Sequence, residues 1–238
     1  MPAHTTMAIA PCGEAALRVT IDGTDPDQVW SAAHRLAARV NQGELPGNVS
    51  AVPTYDAVLV EFDPYDTTAD DIALRILSWQ GDADVREVPR PRVIDVPVLF
   101  GGDAGPDLEW VAGVVGEPVA RVVEIICAKD HVVRCLGGPA ASAMTDGPDF
   151  RVPVPRLETP RLRVPPGAVS VAGRQAVIGP VAAPSGWRQV GRTPLAILRT
   201  EASVVVPYAP GDRVRFAPID HDTYTSLLGA PMRSRGDG

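Results

Sequence analysis

Proline and glycine set the first limit on what this chain can fold into. Its 238 residues include 25 prolines and 22 glycines. Proline removes an amide donor and clashes with the preceding helical turn, and glycine costs backbone entropy, so both interrupt helices. An all-helical bundle is excluded, and short strands joined by many turns are expected. With 45% hydrophobic and 21% charged residues, the chain is neither disordered nor collagen-like nor a coiled coil. Its length suits one large domain or two small ones, burying roughly 70–75% of the unfolded surface.

The charge balance narrows the partners. Twenty-nine acidic against 22 basic residues leave a formal charge of −7, whereas a duplex-binding protein needs a surplus of phosphate-neutralising cations. No nucleic-acid partner is expected. Every basic residue except Lys129 is arginine, a bias read as the codon usage of a GC-rich genome before it is read as anion recognition. Cys12, Cys127 and Cys135 are odd in number and lack CxxC spacing, so neither a disulfide framework nor a zinc ribbon follows, and buried apolar thiols are expected. His4, His34, His131 and His221 form no HxxxH or HExxH pattern, and no metal site is expected. Residues Met1 to Pro11 lack the basic start and apolar run of a signal peptide. No stretch approaches the roughly 20 apolar residues of a membrane span. A cytoplasmic protein, without a membrane partner, is expected.

The first 90 residues alternate strand and helix signals. Ala15–Ile21 reads as a strand ended by Asp22-Gly23, and Asp25-Pro26 supplies a helix cap followed by proline in the first turn. Val29, Trp30, Ala33, Leu36, Ala37 and Val40 recur at helical spacing, with Gly43 placed to stop the helix. Strands are predicted around Val49–Val52 and Thr54–Phe62, then a second helix capped by Thr68, then a last strand at Val85–Val88. This β-α-β-β-α-β order is the ferredoxin-like pattern. The charged, proline-broken segment Arg86–Arg92 is the expected domain boundary.

Beyond it, Ile94–Phe100 reads as a strand, and Pro106–Val115 and Pro118–Ile126 as short helices. Short β-rich runs follow at Val132–Leu136, Ala168–Ala172, Ala176–Ile178, Trp187–Val190, Leu195–Leu198, Ser203–Val206 and Arg213–Ala217. Many short strands at close spacing imply a closed barrel or sandwich, which hides strand edges. The fold class is therefore α+β: a ferredoxin-like domain over residues 12–90, a β-barrel or sandwich over 91–228 and a disordered tail over 229–238.

Known catalytic motifs are absent. Neither GxSxG nor a Walker A loop occurs in the sequence. Gly101-Gly102-Asp103-Ala104-Gly105 precedes a helix and could turn amides toward a phosphate, although a plain strand-to-helix turn is the commoner use of such a run. In Pro155-Arg156-Leu157-Glu158-Thr159-Pro160-Arg161, two proline-stiffened arginines flank a glutamate. Arginines so placed suit carboxylate or phosphate contacts, and Glu158 could pair with them or move protons; the alternative is a surface loop with local ion pairs. In Pro184–Pro194, Gly186 frees the backbone, Trp187 offers a flat wall, and Gln189 and Arg192 add polar contacts; the alternative is a structural tryptophan among glycine turns.

The segments GPDLEWVAGVVG, PRLETPRLRVPPGAVSVAGRQAVIGPVAAPSGWRQVGRTPL and PGDRVRF resemble the family of 5-oxoprolinase B subunits, also known as the KipI type or allophanate hydrolase subunit 1. LPGNVSAVPTYDAVLVEFDP resembles its amino-terminal half. The resemblance runs from about Glu14 to Tyr224 and implies a ferredoxin-like domain followed by a cyclophilin-like β-barrel. It also implies a homologous cyclophilin-like partner of the KipA type, sharing the reaction site, and a third, separate component of the oxoprolinase. In such a system ATP is spent to open 5-oxoproline to glutamate. A carboxyltransferase component for urea or allophanate, and a non-catalytic regulator binding a histidine kinase, are the alternatives. On the enzyme reading Glu158, Arg156 and Arg161 are catalytic, while Gly137, Gly138, Pro139, Gln175, Gly186, Trp187 and Arg192 line the substrate pocket. The sequence departs from the family where a GFxPGFxYLxGL-like loop is replaced by Gly137–Gly147, which lacks its aromatics.

Overall fold

The computed structural model describes residues 5–80, 91–201 and 205–235. The chain divides into two compact units, Met1–Val88 and Pro89–Gly238.

In the first unit, strands β1 (Thr6–Pro11), β2 (Ala16–Asp22), β3 (Val49–Pro53) and β4 (Ala57–Phe62) form one antiparallel sheet in the order β1-β2-β4-β3. Helix α1 (Pro26–Arg39) starts where the sequence places it. The Asp25 carboxylate accepts hydrogen bonds from the amides of Asp27 and Gln28, at 2.9 and 3.4 Å. The helix runs into a wider turn, Val40–Glu44, and stops at Gly43, whose φ of 82° is left-handed. Helix α2 (Ala69–Ser78) is capped by Thr68, whose hydroxyl accepts from the Asp71 amide at 3.2 Å. Alternate residues Leu17, Val19 and Ile21 of β2 meet Val29, Ala33 and Leu36 of α1 and Ile72 and Ile76 of α2 in one core. The predicted strand Val85–Val88 and most of the predicted boundary Arg86–Arg92 lie outside the described residues. The sheet edge beside β2, which a ferredoxin-like order assigns to the last strand, is held by β1 instead. Only Met7 and Ile9 of β1 pack on the core, too short an alternation to be read as a strand beforehand.

The second unit is built on seven strands closed into a barrel. They are β5 (Val93–Phe100), β6 (His131–Gly137), β7 (Ser142–Asp146), β9 (Ala168–Ala172), β10 (Gln175–Ile178), β12 (Arg188–Arg192) and β13 (Arg213–Pro218), in the order β10-β7-β6-β13-β5-β12-β9. Pairing of β9 with β10 completes the ring, so these strands are paired around the circle. Inward-facing Val96, Val98, Val133, Ala143, Val169, Val171, Ala176, Ile178 and Phe216 fill it. Helices α3 (Leu108–Val115) and α4 (Val119–Cys127) pack beside β12 and β13 respectively. A separate two-stranded ribbon joins β8 (Arg161–Val164) to β11 (Ala183–Ser185), and helix α5 (His221–Ser226) follows β13.

Three expectations are corrected here. The stretch Gly137–Gly147 is largely strand: β7 lies inside it, with Ala143 and Thr145 buried and Ser142 and Met144 on the opposite face. Leu195–Leu198 is not a strand but carries a single bridge, Ala196 to Pro231; of Ser203–Val206, only Val205 and Val206 are described, and they form a bend. The tail is anchored through Arg235: Met232 is only 3% exposed, and the Arg235 guanidinium donates to the Asp95 carboxylate at 2.6 and 3.0 Å.

The glycine-rich run Gly101–Gly105 is a turn whose amides are largely committed. Gly101 N–H donates to the Val190 carbonyl and Gly105 N–H to that of Gly101. At Gly105 an added Cβ would stand 2.0 Å from the Val190 carbonyl oxygen. The glycine is there for close approach to β12. Among the described residues no helix is long and apolar enough to cross a membrane, and no group of three or more His, Cys, Asp or Glu side chains could hold a metal ion.

Candidate functional site

A cavity of about 350 Å³ opens on the outer face of the barrel, between strands β7, β9 and β10 and the β8–β11 ribbon. Strand alternation puts it there. Ala143, Val169, Val171, Ala176 and Ile178 point into the barrel core, so Met144, Ser170 and Val177 point outward. These three stand in register across neighbouring strands and make the floor. Pro139, Pro160, Pro165 and Pro184, with Trp187, form stiff walls.

Arg156 is the single ionisable side chain in this lining. It makes no hydrogen bond or ion pair with the described residues, and its guanidinium lies over Gly186, where an added Cβ would approach its nitrogens to 3.1 and 3.2 Å. A side chain at position 186 would displace the guanidinium from this place by a few tenths of an ångström. The Leu157 amide donates to the Gly186 carbonyl at 2.7 Å, and Arg188 Nε donates to the Pro155 carbonyl at 3.4 Å, pinning the strip on either side of Arg156. Ser170, only 3% exposed, adds a hydroxyl on the floor with no hydrogen-bond partner among the described residues. The Ser142 hydroxyl is already donated to the Pro139 carbonyl at 2.9 Å.

Five of the sequence-predicted residues come together in this lining: Gly138, Pro139, Arg156, Gly186 and Trp187. The others stand outside it. Gly137 ends β6 beneath Met144, whose Sδ would be 2.7 Å from an added Cβ. Gln175 lies one row beyond the floor, paired with Asp146 and Ala172. Arg192 donates to the Pro166 carbonyl at 2.9 Å. Glu158 is exposed on the strip and makes no hydrogen bond or ion pair with the described residues. Arg161 is taken up by Asp107, to which it donates twice, at 2.6 and 2.8 Å. Asp107 also accepts from the Gln189 amide at 2.8 Å, and Arg188 stacks on Trp110 with its guanidinium carbon 3.4 Å from the ring centroid. Gln189, offered as a pocket contact, instead donates to the Ala104 carbonyl at 2.7 Å. The floor residues Met144, Ser170 and Val177 went unnoticed in the sequence. Their signal was the period-two alternation of β7, β9 and β10, weak because these strands are short and rich in small side chains.

Beside the cavity, the turn before β7 holds Ala140 and Ala141 at φ of 55° and 58°, the left-handed region that costs a non-glycine residue energy and that gathers at ligand sites. Fully buried His131 braces the far end of β7. Its ring nitrogens lie 2.8 and 2.7 Å from the carbonyl oxygens of Asp146 and Ile126, tying α4 to the sheet.

Known proteins resemble this chain in sequence and in fold. The chain is 32% identical to the 5-oxoprolinase B subunit of Escherichia coli O157:H7, covering 80% of this chain and 84% of that one. It is 28% identical to the 5-oxoprolinase B subunit of Bacillus subtilis (strain 168), covering 89% and 92% respectively. The crystal structure of Kluyveromyces lactis urea carboxylase superposes on 96% of this chain and 24% of that one with a TM-score of 0.78 at 15% identity, a likeness of fold. Residues 7–207, which include β1 from Met7 onward and the cavity lining, match one family profile, and the chain belongs to that family, the carboxyltransferase domain, subdomain C and D.

Proposed function

We propose that this chain is one subunit of an ATP-dependent amide or lactam hydrolase of the 5-oxoprolinase type, opening 5-oxoproline to glutamate with a homologous KipA-type partner and a third, separate component. The observation that carries this reading is the lone, unpartnered guanidinium of Arg156 in an otherwise uncharged cavity. A carboxylate bound there gains charge-assisted hydrogen bonds from an arginine that is itself exposed, and the flat walls of Trp187 and the prolines suit a small ring. The names of the curated relatives support the substrate and the multi-subunit organisation.

The lining contains no carboxylate, imidazole, thiol or amine, so it binds and orients but has no side chain to move a proton. The group that activates water for attack on the lactam carbonyl, and that protonates the departing nitrogen, comes from the KipA-type partner. ATP is the co-substrate, cleaved as the lactam C–N bond is hydrolysed. A single guanidinium is a poor match for a triphosphate, so the nucleotide is assigned to the other components of the complex. The complex works in the cytoplasm.

The lack of a proton-transferring group favours one second reading, a binding protein that docks on a regulatory partner without catalysis. Reconstitution separates the two. Glutamate release from 5-oxoproline and ATP is measured with this chain, its KipA-type partner and the third component mixed and each omitted in turn. The expected result is turnover only with this chain present, and an Arg156→Ala loss of about tenfold to a hundredfold in kcat/KM, the worth of a hydrogen bond to a charged group. Turnover without this chain would remove the enzyme reading.

A further inference from the structure

The glycines around the cavity fall into two kinds. Gly137 and Gly186 are crowded by the ends of side chains, Met144 Sδ at 2.7 Å and the Arg156 guanidinium at 3.1 Å from an added Cβ. Gly138 and Gly179 are not. Neither has left-handed φ, an added Cβ at Gly138 meets nothing within 4 Å, and one at Gly179 meets only two carbonyl oxygens at 4.0 Å. The fold would accept side chains at both positions, and both line the cavity, so their bareness adds room for a ligand rather than serving the backbone. A volume of about 350 Å³ lies within the range of sites that enclose drug-sized molecules, roughly 300–1,000 Å³, and exceeds what a single lactam ring fills.

The Arg156 guanidinium and the Ser170 hydroxyl both line that space and make no hydrogen bond with the described residues. The Ser170 hydroxyl opens into the cavity and can donate to or accept from a group that enters it. We propose that the cavity takes an N-acylated amino acid, the pyroglutamyl amino acids included, with its carboxylate on Arg156, its amide on Ser170 and its apolar side chain in the room left by Gly138 and Gly179. This rests on the reading of the cavity as a carboxylate site and enlarges the substrate class beyond free 5-oxoproline.

Equilibrium binding tests it, using calorimetric titration of the full-length chain with 5-oxoproline, N-acetyl-L-leucine and L-pyroglutamyl-L-leucine. Burial of the leucyl side chain should make the larger two bind about tenfold tighter or more. Gly179→Leu should erase that advantage, with a far-ultraviolet circular dichroism spectrum matching that of the parent chain as its folding control; Gly138→Val supplies an independent narrowing should Gly179→Leu fail to fold. Ser170→Ala should weaken the amides by about tenfold. Equal or tighter binding of 5-oxoproline, with Arg156 still required, would overturn the size inference alone. Binding unchanged by Arg156→Ala would overturn the carboxylate site and the proposed function with it.

Discussion

Arg161 and Asp107 are joined by two parallel hydrogen bonds, 2.6 and 2.8 Å long, across 54 positions of sequence. The pair ties the start of β8 to the residue preceding α3, and so holds one edge of the ribbon that walls the cavity. Asp107 is 5% exposed, whereas the Arg161 side chain keeps a third of its surface in water, which makes the two partners unequal. Arg161→Ala strands a buried carboxylate on the Gln189 amide and the more distant Arg188, and should cost about 3 kcal/mol of stability. Asp107→Asn keeps an acceptor and leaves a guanidinium that can reach solvent, and should cost less. Urea denaturation of the two single variants and the double variant checks the order; equal costs would show that the asymmetry of burial does not matter.

Glycines in and before α3 predict opposite signs for the same substitution. Gly105→Ala drives a methyl to 2.0 Å from a backbone oxygen, which cannot yield without moving β12 off the turn, and a loss of about 3 kcal/mol or more is expected. Gly113 lies on the exposed face of α3, with nothing within 4 Å of an added Cβ. Gly113→Ala should raise stability by about 0.5–1 kcal/mol through helix propensity. Thermal midpoints of the two variants should therefore move in opposite directions.

What the sequence disclosed follows the range of the interaction concerned. The caps at Asp25 and Thr68 and the stop at Gly43 are settled within four residues, so pattern alone located α1 and α2. Arg156, Gly186 and Trp187 were legible because their chemistry is unusual, and the structure brings them to one cavity. Arg161 was not separable from Arg156 in sequence, since each follows a proline. The partner that removes Arg161 from the anion site lies 54 positions away. Strand β7 was hidden by its composition. Ser-Ala-Met-Thr-Asp carries little β propensity, and its burial comes from neighbours β6 and β10 rather than from its own residues.

Acid should weaken the barrel partly through Asp130. Two hydrogen bonds from Arg215, at 2.6 and 2.8 Å, hold its carboxyl below the usual carboxylate range, and the charges of Arg213 and Arg235 act in the same direction. A depressed folded-state value means that the stabilisation is present above the unfolded pKa, about 3.9, and is lost as the pH falls through the folded value. The Arg215 side chain is 40% exposed, so solvent screening keeps the contribution of the pair small. Asp130→Asn should lower the urea midpoint at neutral pH and match the parent chain once both are measured below about pH 3. A deficit that persists in acid would assign the effect to packing instead.

The three thiols should separate by accessibility and, at high pH, by stability. Cys12 is exposed, Cys127 half-buried and Cys135 buried, which corrects the expectation of three buried thiols. Burial pushes the Cys127 thiol up to about 11 and raises Cys135 as well, so neither offers much thiolate to an electrophile near neutral pH. A disulfide reagent at about pH 8 should therefore label Cys12 rapidly and the other two only as the chain unfolds, and Cys12→Ser should abolish the rapid phase. Because the folded-state value of Cys127 lies above the unfolded one, stability is fully present below about pH 8.5 and is lost as the pH climbs toward the folded value. Cys127→Ala should flatten that alkaline decline while costing a little packing at neutral pH. An unaltered slope of stability against pH between those two values would mean that the thiol ionises as readily in the barrel as in water.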